Sequence, residues 1–81
     1  MTMERRRELL NNMSEYLDNC NADFEAVGAG EGVAEEEAFN ACLGYIVELV
    51  GNDGDVHFFE DTLGFTREEL LAEGMDWVYE E

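Results

Sequence analysis

Residues 34–50 read AEEEAFNACLGYIVELV, and this stretch decides the fold. Three glutamates, Glu35, Glu36 and Glu37, open it, where carboxylates favour the positive end of a helix dipole. Behind them apolar residues recur at Phe39, Cys42, Leu43, Ile46, Val47, Leu49 and Val50, with Ala38 and Ala41 among them. Steps of three and four specify a helix. The stripe is wider than one partner helix requires, so this helix is expected to be central and packed on two sides. Gly51 supplies the left-handed residue that ends it.

Upstream, Leu9, Leu10, Met13, Tyr16, Leu17 and Cys20 lie on one stripe and predict a helix over about 3–20, capped by Thr2. Asn19 and Asn21 weaken its end, because their amides compete for backbone hydrogen bonds. Phe24 extends the apolar face after the break. Residues 26–32, AVGAGEG, form the glycine-rich stretch. No lysine follows it and its spacing is not that of a phosphate-binding loop. It reads as a flexible connection.

Downstream, Asn52-Asp53-Gly54-Asp55 is a turn by composition. Aligned as a calcium loop on Gly54, it places Glu60 at the last ligand position but Leu49 and Gly51 at the first two, where side-chain oxygens are required. The better reading is that Asp55 caps a helix over about 56–63, with Val56, Phe59 and Leu63 inward, Phe58 at the margin and Gly64 as its stop. Thr66-Arg67-Glu68-Glu69 is a capping box for a helix over about 67–73. Phe65 and Leu70 are placed for a hydrophobic staple, and Gly74 with Met75 for a Schellman ending. The tail, with Trp77 expected to close the core, makes one more turn or an extended segment. The expectation is an all-α fold: one domain over residues 1–81, a small bundle of about four short helices.

Charge sets the function classes. The 81 residues carry 21 acids against four arginines and no lysine, a net charge of −17. Arg5, Arg6 and Arg7 are clustered, and from Glu8 onward 20 acids face Arg67 alone. High charge with little apolar content would mean disorder, but 46% of the residues are hydrophobic, enough to build a core. Direct binding of nucleic acid is excluded, since phosphates need Lys and Arg. An anionic membrane repels the chain, and no run approaches the length of a membrane span. The arginines are not followed by an apolar segment, so a secretory signal is not expected and the cytoplasm is.

Chemistry is thinly represented. Ser14 and His57 are the only serine and histidine, and neither lies in a nucleophile or metal-binding motif. Cys20 and Cys42 both fall on apolar stripes and read as core residues, with a bridge between the first two helices as the alternative. No enzyme activity, cofactor or metal is expected.

What remains is binding through charge. The leading expectation is a non-catalytic acidic mimic or plug that occupies the channel of a positively charged, nucleic-acid-binding protein or nuclease effector. The residues expected to carry it are Glu35, Glu36, Glu37, Asp53, Asp55, Glu60, Asp61, Glu68 and Glu69, with Tyr45, Phe58 and Tyr79 as aromatic anchors. In size, acidity and helical build the chain resembles phage-encoded inhibitors, anti-CRISPR proteins among them; the resemblance is one of composition and rests on no motif. It implies action in the host cytoplasm. The alternative is a small helical interaction or adaptor module that works through an apolar groove, or self-associates.

Seventeen like charges repel one another most where the Debye length is longest, about 30 Å at 0.01 M salt. The melting temperature is therefore expected to rise from very low to physiological salt. A flat profile in a thermal scan would show that the charges are not crowded.

Overall fold

The computed structural model describes residues 1–50 and 57–79, and its fold is all-α. Two long helices, α1 (Met3–Asn19) and α3 (Glu35–Val50), supply most of the core. Between them lies a single turn, α2 (Phe24–Val27). A π-helical turn (Phe58–Thr62), the short helix α4 (Arg67–Ala72) and a 3-10 turn (Asp76–Tyr79) close the bundle. The expected cap at Asp55, the turn at Asp53 and the stop at Gly51 fall in residues 51–56, outside the described residues.

The core follows the two stripes. Leu9, Met13 and Leu17 of α1 meet Phe39, Cys42, Leu43 and Ile46 of α3, all buried. Phe59, Leu63, Phe65, Leu70 and Met75 complete the cluster from the second half. α3 is central, as its wide stripe requires. It packs on α1, it carries α2 on a second side, where Gly28 faces Ala41, and it has Met75 and Trp77 beside a third. No charged or polar residue is buried among the described residues, so cohesion is apolar.

Local chemistry writes the ends of the elements. Thr2 Oγ1 accepts from Arg5 N at the start of α1. At its end Ala22 N donates to Leu17 O and Asn21 N to Asp18 O, a Schellman ending with Asn21 in the left-handed conformation (φ 59°). The capping box at α4 is complete: Glu69 N donates to Thr66 Oγ1 and Thr66 N to Glu69 Oε1. The far end closes with Met75 N donating to Leu70 O and Gly74 N to Leu71 O, with Gly74 at φ 76°.

Three expectations are corrected. Residues 26–32 are not wholly a flexible connection, because Ala26 and Val27 belong to α2, which Asp23 caps through Glu25 N. Cys20 and Leu49 are exposed, not core residues. α1 stops at Asn19, so Cys20 is its cap residue and lies beyond the last packed turn, while Leu49 sits in the last turn of α3. The third helix is also wider than expected over its described part. Leu63 N donates to Phe58 O, five residues back. A π turn spreads neighbouring side chains less than an α turn does, and Phe58 lies half-buried at the margin, as expected, beside the inward Phe59. Phe59 is fully buried, and Phe58 sets its ring edge-on to Tyr16 at 5.0 Å.

Gly44 is the anomaly in α3. Glycine inside a helix costs about 0.5–1 kcal/mol relative to alanine. Gly44 is exposed, and a Cβ built there would meet nothing within 4 Å, so no neighbour forces the choice. Gly44→Ala is expected to raise stability by about 0.5–1 kcal/mol, whereas Gly74→Ala, at a positive φ, is expected to lower it. Urea midpoints of the two variants against the parent check both signs.

Candidate protein-interaction surface

The surface is almost uniformly acidic, and it is built by elimination of the cations. The Arg5 side chain makes four hydrogen bonds. Its Nε donates to Glu69 Oε2 at 2.7 Å and its Nη2 to Glu69 Oε1 at 2.9 Å. Its Nη1 reaches Glu8 Oε1 at 2.8 Å, and Nη2 also donates to the Gly64 carbonyl. Arg7 Nε donates to Glu35 Oε2 at 3.2 Å, and Arg6 Nε faces Glu35 Oε1 at 4.0 Å. The Arg67 guanidinium lies 5.1 Å above the Tyr79 ring. Each arginine of the positive tip that the sequence suggests at Arg5–Arg7 therefore faces a carboxylate, Arg5 and Arg6 half-buried and Arg7 exposed.

The expected site residues divide by what they touch. Glu35 and Glu69 are half-buried and hold arginines, so both act within the fold. Glu36 and Glu37 stand exposed in the first turn of α3, beside the Arg6–Glu35–Arg7 group. Glu68 is exposed in the first turn of α4. Burial raises the Tyr79 phenol above its ordinary range, helped by the nearby carboxylates of Glu60 and Glu68 and opposed by Arg67. That places Glu60, Glu68 and Tyr79 in one locality. Asp61 is exposed on the π turn. Asp53 and Asp55 lie outside the described residues. Since Arg5 holds α4 while Arg6 and Arg7 hold α3, the first turns of α3 and α4 flank the same end of α1, which adds Glu4 and Glu8 to that end. Of the expected aromatic anchors, Tyr45, Phe58 and Tyr79 are all half-buried and packed against the core.

Clefts interrupt this surface among the described residues, and two of them bear on the site. One, of about 180 Å³, is polar and bounded by Asn12, Glu15, Tyr16, Asn19 and Thr62. Asn12 serves the fold there, donating from Nδ2 to Leu63 O at 2.9 Å. The larger, about 450 Å³, runs between α3 and the chain around Met75. Gly44 lies in it, Leu43, Val47 and Trp77 give it apolar walls, and Glu48 and Glu73 stand at its edge. None of its residues is among those expected to bind a partner. The signal for it was the unexplained helical glycine. Elsewhere, burial raises the Cys42 thiol, which makes it a poor nucleophile. No helix among the described residues is long and apolar enough to cross a membrane.

The chain matches no protein-family model, no curated protein and no solved structure.

The Arg5 hydrogen bonds hold the Glu69 carboxyl down at about 2, with the Thr66 backbone N–H adding to the effect and burial opposing it. Its folded value lies below the unfolded value of about 4.3, so this contribution is fully present above that pH and is lost as pH falls toward 2. Glu69→Gln is expected to cost about 2 kcal/mol at neutral pH. Its difference from the parent, followed by denaturation at successive pH values, is expected to shrink between about pH 4.5 and 2. Comparing the two proteins cancels the general gain from neutralising other carboxylates over the same range.

Proposed function

We propose that this chain is a non-catalytic acidic binding protein that enters the basic channel of a nucleic-acid-binding protein and excludes the nucleic acid. The supporting observation is the arrangement of charge. Each of the four arginines faces a carboxylate or a ring of the same molecule, while Glu36, Glu37, Glu68 and Glu4 stand exposed around one end of it, with Glu8 exposed beside Arg5. The molecule is 38 Å long and carries a net −17. A DNA duplex of that length, at one charge per ~1.7 Å, carries about 22 charges. The protein thus offers a cationic channel a comparable charge over the same length. This is the mode of action of a phage-type inhibitor, such as an anti-CRISPR protein, working in the host cytoplasm on a nuclease effector. Complementary charge also speeds encounter, which suits an inhibitor competing with abundant nucleic acid.

The interaction-module reading is favoured by one separate observation, the apolar cleft beside Gly44. Self-association is the weaker form of that reading. A second copy brings another −17 and no uncommitted arginine.

The immobilised protein is expected to capture nucleic-acid-binding proteins from lysate at low salt. Duplex DNA and about 0.5 M salt are each expected to release them, because the contacts replace phosphate contacts. The triple variant Glu36→Lys, Glu37→Lys, Glu68→Lys is expected to lose capture while keeping its helical circular dichroism, since Glu35 and Glu69 are left in their ion pairs. Capture that resists both salt and DNA would overturn the mimic.

A further inference from the structure

We infer that the cleft beside Gly44 is a docking groove for an amphipathic basic segment of the partner, an apolar side chain flanked by Lys or Arg. The inference rests on the reading of the chain as a receptor for cationic proteins and supplies what that reading lacks, a place where specificity can arise. Charge alone attracts any polycation. Selection among polycations needs a shaped contact that only some of them satisfy.

Three observations converge on this groove. Its volume, about 450 Å³, lies within the range of about 300–1,000 Å³ typical of binding pockets. Its walls are apolar where they are deepest, with Leu43 and Met75 continuous with the core and Val47 and Trp77 half-buried against it. Gly44 opens it: a Cβ at that position points into space with nothing within 4 Å, so any larger residue would project into the cleft. The glycine weakens α3 without relieving any internal crowding. An open groove is what the substitution by glycine achieves.

The rim chooses the occupant. Glu48 on α3 and Glu73 at the end of α4 are both exposed, and both line the cleft together with its apolar residues. An occupant with an apolar anchor and cationic flanks would bury the first and pair the second. A second copy of this chain brings the wrong charge. An anionic lipid surface is repelled by the rim and by the whole molecule. A neutral apolar ligand would fill the floor and leave both carboxylates unused.

Trp77, the only tryptophan in the chain, lines the groove and reports its occupancy directly. The test titrates the intact protein with three synthetic peptides while Trp77 fluorescence is followed. The first has leucines on one helical face and lysines on the other. The second keeps the lysines and replaces leucine with serine. The third keeps the leucines and replaces lysine with glutamine. The first is expected to shift the Trp77 emission and to bind at least about tenfold more tightly than either control. Gly44→Leu, a change from a poor to a strong helix former, is expected to remove that advantage while the serine peptide binds as before. Glu48→Lys with Glu73→Lys is expected to weaken the first peptide more than the charge-matched pair Glu15→Lys with Asp18→Lys.

If the first two peptides bind equally and Gly44→Leu changes nothing, the groove is not the docking site, and the acidic receptor reading stands without it. If the glutamine peptide binds as well as the lysine peptide, the groove takes apolar ligands and the basic occupant is overturned. If neither lysine peptide binds at low salt, the receptor reading itself fails and the groove proposal falls with it. Concentration-dependent sedimentation of the protein alone, lost in Gly44→Leu, would assign the groove to a second copy and overturn the proposal.

Discussion

A glutamate and an arginine 64 residues apart hold the two halves of this chain together. Net repulsion pervades the chain, and the apolar cluster must be assembled against it. Arg5 lies in the first turns of α1, while Glu69 is fixed by the capping box of α4. One carboxylate therefore does two jobs: it satisfies a helix-end N–H and it receives a bidentate guanidinium. Such charge-assisted pairs are among the stronger polar contacts, and this one is shielded enough to escape much of the screening that weakens surface pairs. The Arg5 bond to the Gly64 carbonyl ties the same side chain to the loop before α4. Removing the arginine would release the second half of the chain from the first.

The clamp has an electrostatic consequence as well as a mechanical one. Three of the four cations are drawn into ion pairs at one end of the molecule, where they neutralise Glu35 and Glu69 and organise α3 and α4 around α1. Apart from Glu8, which also pairs with Arg5, exposed carboxylates such as Glu36, Glu37 and Glu68 have no ion pair with an arginine. Folding thus converts a mixed sequence, with a basic tripeptide near its start, into a surface of nearly one sign. The acidic exterior and the internal clamp are two results of the same pairing.

Much of this fold was legible in the sequence because its signals are local. The stripes of α1 and α3, the box at Thr66–Glu69 and the Gly74–Met75 ending are short-range patterns with short-range causes. Two features escaped for the opposite reason. The π turn at Phe58–Thr62 packs Phe58 against the Tyr16 ring, a contact from across the fold that no window around Phe58 contains. The exposure of Cys20 depends on α1 ending at Asn19, one residue short of its apolar pattern. The candidate surface was legible only as composition. The sequence counts carboxylates but does not say which of them face an arginine, and so Glu35 and Glu69 were grouped with Glu36 and Glu68. Their separation is a matter of distance across the fold: Arg5 and Arg7 reach them from α1.

The groove shows how an acidic protein can be selective without giving up its charge. A field of carboxylates raises the local concentration of every cationic surface and distinguishes poorly among them. An apolar recess in that field distinguishes strongly, because desolvating a misplaced polar group there is costly. The recess must remain open in the free protein, which requires a small residue on an otherwise bulky helix. Gly44 meets that requirement at a measurable cost to α3. Alanine here would stabilise the helix and nothing in the packing would resist it, so glycine has no advantage within the fold itself. The chain instead carries the least helix-favouring residue short of proline, at a position on α3 that lines an apolar cleft shared with two carboxylates.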